Sequence, residues 1–148
     1  MEVDRNGLEV LSRGECLALL GSATLGRIAL TSRALPLVLP VNYRLDGRQI
    51  VIRTNPGTKL EAATRHTVVA FEVDDVDPTY HTGWSVVVQG IARVVVERAE
   101  IRRMETLPLP AWFPAADDRF VTISTDVVTG RRLAPVRARP VDASTMAG

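Results

Sequence analysis

The feature that most constrains the fold of this chain is a series of short segments rich in valine, isoleucine and leucine, each bounded by turn-forming residues. Strands pair in parallel only when long crossover connections join them, and at most one intervening piece is long enough. We therefore predict a mainly antiparallel sheet, which in a chain of 148 residues closes into a small split β-barrel. The six predicted strands span residues 23–30, 35–45, 48–54, 68–73, 84–96 and 120–125.

The dipeptide Asp46-Gly47 lies between two alternating segments and is a strong signal for a tight hairpin. A two-residue turn at this dipeptide pairs Leu45 with Arg48 and makes one face of the hairpin wholly apolar. The other face is mixed, and it suits a polar ligand better than a core. Its predicted members are Pro40, Asn42, Val51 and Arg53.

Short helices are predicted at three places in the chain. Ser12 and Glu15 have the spacing of a capping box, which marks the start of a helix. Directly after the third strand, either Asn55 or Thr58 is the predicted N-cap of a second helix, and Thr58 and Glu61 have the same capping-box spacing. Apolar residues at helical spacing indicate a third helix. The predicted helices span residues 12–20, 58–65 and 97–107.

The C-terminal part of the chain contains a proline-rich loop and a polar tail. Three prolines surround Trp112, which is predicted either to cover a ligand or, more commonly for a buried aromatic, to anchor the loop on the barrel. Residues 134–148 are rich in proline, arginine, alanine and serine, and we expect a flexible C-terminal tail there. Residues 1–133 are predicted to form one domain.

Composition excludes several classes of function. A formal net charge of +1, with 24% charged residues of both signs, provides no broad basic surface, so neither nucleic acid nor a membrane is expected as a partner. No segment reaches the roughly 20 apolar residues of a membrane-spanning helix. The N-terminus lacks a secretion signal, and the single cysteine, Cys16, cannot form an internal disulfide. These features predict a cytoplasmic protein.

An acidic stretch at the end of the fourth strand raises the question of a metal site. Successive side chains of a strand point to opposite faces, so these carboxylates do not converge as the ligands of a hard cation must. We therefore predict no metal site. The stretch contains Glu72, Asp74, Asp75, Asp77 and His81.

A basic corner joins the third strand to the second helix. Arg53 ends the strand and Lys59 opens the helix, and Thr54 and Thr58 add neutral donors between them. Two cations beside a helix start favour a phosphate monoester. On charge spacing alone, both residues are more often ordinary solvated side chains. The predicted hairpin register favours the phosphate site, because it places Arg53 on the mixed face.

Several short motifs, taken together, are similar to those of a known family. Their order and spacing over residues 11–96 resemble the pyridoxamine 5′-phosphate oxidase-like flavin-binding proteins. The arginine- and histidine-bearing substrate motif of the true oxidases is missing at the C-terminal end, and Val127 to Leu133 resembles the end of a shorter branch. The motifs are Gly26-Arg27-Ile28-Ala29, Leu39-Pro40-Val41-Asn42-Tyr43, Ile52-Arg53-Thr54, Gly57-Thr58-Lys59-Leu60, Ala70-Phe71-Glu72-Val73-Asp74, and Gly83-Trp84-Ser85-Val86 followed by Gly90.

The resemblance implies a homodimer with FMN in each of two clefts at the interface. Arg53 and Lys59 match the family's phosphate-binding basic residues, and Thr54 and Thr58 would assist them. These four residues therefore form the predicted phosphate end of the site.

The ring end of the site is implied by two other motifs. Pro40, Val41 and Asn42 match the strand beside the isoalloxazine ring, where backbone groups meet ring nitrogens and oxygens. Trp84 and Ser85 match a segment that reaches the cofactor from the same subunit or from its partner.

The function implied is an FMN-dependent oxidoreductase that transfers hydride between the flavin and a small organic substrate or a reduced nicotinamide. The cofactor carries this chemistry, so no catalytic side chain is required by the sequence. Two alternatives stay open. The same fold accommodates a deazaflavin or haem, and the protein could store or sense a flavin without turnover.

Overall fold

The computed structural model describes residues 1–109 and 118–133. Within these ranges it is mainly β with three helices, which confirms the predicted fold class. Two strands, the first and the last, were not predicted. The elements are β1 (Glu9–Val10), α1 (Arg13–Ser22), β2 (Leu25–Ser32), β3 (Leu35–Asp46), β4 (Gln49–Thr54), α2 (Lys59–Ala63), β5 (Thr67–Asp77), β6 (Thr82–Val94), α3 (Arg98–Glu105), β7 (Arg119–Ser124) and β8 (Val127–Leu133).

All the described strand pairs are antiparallel, and six strands close into a barrel in the order β2-β3-β4-β7-β6-β5. The long strand β6 makes this closure possible. It pairs with β5 along its length, with β8 over its first half and with β7 near its end. Strand β8 in turn pairs with β1, so these two strands extend the sheet beyond the barrel.

The core fills the barrel, and α1 closes one end of it. Ser12 and Glu15 form the predicted capping box at the start of α1. At its other end, the Leu20 carbonyl accepts a hydrogen bond from the hydroxyl of Tyr43, a residue that is only 1% exposed. The Tyr43 ring meets Phe71 edge to face, with centroids 4.9 Å apart. Burial raises the pKa of Tyr43 to about 12, so this hydroxyl keeps its proton at neutral pH.

The predicted register of the β3–β4 hairpin is wrong by two residues. Tyr43 lies opposite Ile52, and Asp46 pairs with Gln49 instead of forming the turn. The turn residues are Gly47 and Arg48, and of these two only Gly47 has a positive φ, +62°. Glycine at the first central position is typical of a type II′ turn. The two-residue shift leaves the apolar face as predicted.

The opposite face of the hairpin is only in part the mixed surface that was predicted. Val51 is fully buried there. It belongs to a second hydrophobic cluster, to which α3 contributes Met104 and β7 contributes Phe120. This part of the face is therefore core, because α3 packs over it.

Strands β6 and β7 are tightly apposed at Gly90. A Cβ atom at this position would lie 1.8 Å from the carbonyl oxygen of Ser124, a backbone atom. The next residue, Ile91, donates its N–H to the Ser124 hydroxyl at 2.9 Å. The barrel therefore closes here only around a residue without a side chain.

Two of the sequence predictions fall on residues 110–117 and 134–148, which lie outside the described ranges. They are the loop around Trp112 and the flexible tail. Among the described residues, none of the helices has the length and apolar character needed to cross a bilayer. In the same ranges, no three histidine, cysteine or acidic side chains are grouped to bind a metal ion.

Candidate functional site

A groove of about 840 Å³ lies between α2 and the β2–β3 hairpin. Two cationic side chains, Arg33 and Lys59, line it, and none of its described lining residues is acidic. Its other walls combine apolar side chains with hydroxyls, so it suits an amphipathic anion. The described lining residues are Thr31, Ser32, Arg33, Leu35, Pro36, Leu37, Gly57, Thr58, Lys59, Ala62, Ala63 and Thr67.

The α2 wall of the groove is fixed by a local hydrogen-bond network. Thr58 caps α2, as predicted, by accepting a hydrogen bond from the Glu61 N–H at 3.1 Å. The Glu61 carboxylate accepts the Gly57 N–H and forms an ion pair with Arg65 at 2.9 Å. The Gly57 hydrogen bond and the Arg65 charge lower the pKa of Glu61. Its charge is thus satisfied within this segment, while Lys59 is exposed and has no ion pair among the described residues.

The opposite wall is the tip of the β2–β3 hairpin. Ser32 pairs with Leu35, so the turn consists of Arg33 and Ala34. Both have positive φ, 51° and 64°, which is uncommon for residues other than glycine, asparagine and aspartate. Arg33 is exposed and forms no ion pair or side-chain hydrogen bond within the described residues. The sequence prediction missed it, although its position between two predicted strands marks it as a turn residue.

Part of β3 has an open edge beside the groove. Among the described strands, β4 pairs with β3 only from Tyr43 onward. The Tyr43 N–H donates to Thr24 on the β2 side at 2.9 Å. Because backbone groups alternate along a strand, positions 36, 38, 40 and 42 direct theirs to the open edge. Proline has no N–H, so the edge offers donors from Val38 and Asn42, and carbonyl acceptors from all four residues.

The predicted phosphate residues do not all meet in this groove. Thr58 and Lys59 line it, and the Thr54 hydroxyl lies 3.0 Å from that of Thr58. Arg53 is not among the lining residues. Its Nε donates to Asp118 at 2.7 Å, and its guanidinium lies 5.6 Å from the centre of the Phe120 ring. The structure therefore does not bring the charges of Arg53 and Lys59 together in the groove.

The predicted ring residues lie on two strands. On β3, Pro40 and Asn42 belong to the open edge, while Val41 is buried in the core. On β6, Ser85 lies opposite Asp74 of β5. Trp84 lines a separate pocket of about 290 Å³ near the end of the β5–β6 hairpin. Neither β6 residue lines the groove of its own chain.

Comparison with known proteins places this chain in a family. The family model described as pyridoxamine 5′-phosphate oxidase matches residues 12–144, most of the chain. The chain belongs to the pyridoxamine 5′-phosphate oxidase-like family. The prediction made from the order of the motifs is therefore confirmed.

Relatives of this family member include proteins of Mycobacterium and Corynebacterium. It is 39% identical over 128 residues to the uncharacterized protein Rv0080 of Mycobacterium tuberculosis, covering 83% of this chain and 84% of that protein. The structure of the FAD binding protein from Mycobacterium smegmatis superposes with a TM-score of 0.77 at 36% identity, covering 85% of this chain and 98% of that one. A conserved protein of unknown function from Corynebacterium diphtheriae gives a TM-score of 0.73 at 31% identity, covering 86% and 98%.

Proposed function

We propose that this member of the pyridoxamine 5′-phosphate oxidase-like family binds a flavin nucleotide in the groove between α2 and the β2–β3 hairpin. The observation that carries the proposal is a groove with two uncompensated cations beside an open strand edge, which the groove reaches at Pro36. A flavin nucleotide has a phosphate at one end and a flat ring with hydrogen-bonding edges at the other. The groove offers cations for the phosphate, and the β3 edge that continues from it offers donors and acceptors for the ring.

Lys59 would hold the phosphate. Lys59 is exposed and lines the groove. The preceding residue, Thr58, also lines the groove and carries a hydroxyl. A charge-assisted contact to an anion is roughly twice as strong as a neutral one. Arg53 would act indirectly, because its ion pair with Asp118 fixes the end of β4 from which Thr54 reaches Thr58.

The open edge of β3 would hold the ring. The Pro40 carbonyl and the Asn42 N–H project from the same edge. One is an acceptor for a ring N–H and the other a donor to a ring carbonyl, which are the groups that flavin presents on its pyrimidine side. Val41 between them anchors this part of the strand in the core.

The flavin would supply hydride transfer, and the protein would orient the ring and exclude water from one of its faces. We propose an oxidoreductase that acts in the cytoplasm on a small organic substrate or a reduced nicotinamide. The sequence analysis predicted FMN as the cofactor. The FAD binding protein from Mycobacterium smegmatis, at 36% identity, favours FAD instead. A deazaflavin or haem is an alternative that the spectrum of the bound ligand separates. A flavin sensor is separated by the absence of steady-state turnover with NADH or NADPH and an electron acceptor.

The first test is the absorption spectrum of the protein as purified, followed by mass spectrometry of the released ligand. We expect the spectrum of an oxidised flavin. Lys59→Ala should weaken flavin binding about tenfold, the usual cost of losing one charge-assisted contact. Arg102→Ala, an exposed residue of α3 outside the groove, serves as the control and should bind like the unmodified protein. A protein that takes up no flavin contradicts the proposal.

We further propose that the protein is a homodimer that buries the outer face of the sheet. A row of small, apolar or uncharged residues crosses five strands on this face. Val38 in this row is 60% exposed, and the neighbouring Val68 is 76% exposed. An apolar face of this kind favours association with a second copy. The row consists of Val38, Ala29, Ala70, Gln89 and Val127.

The dimer has a direct test. Ala70→Arg places a charge at the centre of the row and should convert the dimer to a monomer, because an unpaired buried charge is costly. Light scattering coupled to gel filtration at micromolar concentration measures the mass. Val96→Arg, at a position that is 83% exposed and outside the row, should leave the dimer intact. A monomer in the unmodified protein would count against the proposal.

A further inference from the structure

We propose that Arg33 is a second phosphate-binding residue and that it makes the groove selective for a flavin dinucleotide over a mononucleotide. The proposal rests on the proposed function and deepens it. It concerns a residue that neither the motifs nor the family resemblance singled out.

The first argument is the distribution of charge in the groove. Arg33 and Lys59 lie on separate elements, the β2–β3 turn and α2, and both line the same space. No acidic residue is among the described lining residues, so the two charges are uncompensated there. The phosphate monoester of a mononucleotide is one compact dianion, whereas the diphosphate of a dinucleotide spreads a similar charge over two adjacent phosphates. Two cations on separate walls of a groove therefore suit the diphosphate, with one cation for each phosphate.

The second argument is a contrast with another basic pocket of the molecule. That pocket, of about 640 Å³, is lined by Arg48, Arg93 and Arg103. Two of its arginines are neutralised by carboxylates: Arg93 binds Glu100 at 2.5 Å, and Arg103 binds Asp46 at 2.5 Å. More arginines therefore do not make it the better anion site. The groove is distinguished by having no carboxylate among its described lining residues.

The third argument is the conformation of the turn that carries Arg33. Two-residue hairpin turns with positive φ at both positions are normally built from asparagine, aspartate and glycine. Here Arg33 and Ala34 adopt these angles instead. Residues held in such conformations concentrate at ligand-binding positions.

The experiment compares the affinities of FAD and FMN for the flavin-free full-length protein by titration calorimetry. We expect Arg33→Ala to weaken FAD binding about tenfold while FMN binding changes by less than about threefold. Arg33→Gly tests the same loss in a residue suited to the left-handed turn, so a folding defect of the alanine variant does not decide the result. Arg33→Lys should recover most of the FAD affinity.

Arg48→Ala is the matched control, because Arg48 is an exposed arginine at the other two-residue hairpin turn, outside the groove. It should leave the affinities of both flavins unchanged. If Arg33→Ala and Arg33→Gly weaken FAD and FMN equally, or weaken neither, the selectivity proposal is overturned while flavin binding stands. If the unmodified protein binds neither flavin, both proposals fail.

Discussion

Replacing Gly90 with alanine is expected to destabilise the barrel by about 3 kcal/mol or more, which is among the largest effects of a single substitution. The added methyl group would meet the Ser124 carbonyl oxygen at 1.8 Å, far inside van der Waals contact. This neighbour is backbone and cannot rotate away. Strands β6 and β7 would have to separate, which would open the closure of the barrel and break the Ile91 to Ser124 hydrogen bond.

The matched control is Gly14→Ala in α1. No atom lies within 4 Å of a Cβ built at this position, and alanine favours the helix more than glycine does. We expect a gain of about 0.5–1 kcal/mol there. Urea denaturation followed by circular dichroism gives both free energies of unfolding. A Gly90→Ala protein with an unchanged midpoint would show that β6 and β7 are less tightly apposed than described.

Glu72→Gln is expected to make the protein about 2 kcal/mol more stable at pH 8 and to leave its stability at pH 4.5 nearly unchanged. Glu72 lies on the outer face of β5. The Arg27 guanidinium lies 3.3 Å from the Glu72 carboxylate and 3.4 Å from the Asp74 carboxylate. Burial, followed by the hydrogen bond and charge of Asp74, raises the pKa of Glu72 to about 7 from an ordinary value of 4.5. Arg27 opposes the shift without cancelling it.

The direction of this pH effect follows from proton binding. Between pH 4.5 and 7 the folded protein holds the Glu72 proton, whereas the unfolded chain has released it. The stabilisation is therefore complete below pH 4.5 and is lost as the pH rises to about 7. The full shift corresponds to about 3 kcal/mol, and partial exposure of the cluster reduces this to about 2 kcal/mol. Glutamine keeps the shape of the side chain and cannot ionise.

Thermal melting of both proteins from pH 4.5 to 8 measures the difference. Asp75→Asn provides the control, since it removes a carboxylate from the same strand outside the cluster. That variant should retain the pH dependence of the unmodified protein. If Glu72→Gln retains it as well, the proton is held by another group.

The parts of the fold set by local interactions were predictable from the sequence. The capping pair of Ser12 and Glu15 fixes the start of α1, and alternation of apolar residues identifies the barrel strands. Strand β8 was missed because Thr129, Arg131 and Arg132 dilute its apolar pattern. It is held mainly by pairing with β6, a partner distant in the sequence.

The candidate site was harder to predict because its decisive contacts are long-range. Arg53 and Lys59 are close in the sequence. However, the Arg53 guanidinium forms an ion pair with Asp118, a residue 65 positions later in the chain. The hairpin turn can consist of Asp46-Gly47 or of Gly47-Arg48, and the Asp46-Gly47 dipeptide does not determine which of them forms. In the structure Gly47 is the first turn residue and has a positive φ. Arg33 belongs to the site only because the β2–β3 hairpin borders α2, which no local pattern predicts.

The open edge of β3 also determines what kind of molecule the groove can accept. An unpaired strand edge normally recruits a strand from another chain and so promotes aggregation. Prolines at positions 36 and 40 interrupt the row of donors, so an incoming peptide would find hydrogen-bond donors at only two of four edge positions. A short planar molecule needs no continuous ladder. The same two prolines therefore disfavour pairing with a strand of another chain, while the proposed flavin would still find the acceptors and donors that it needs.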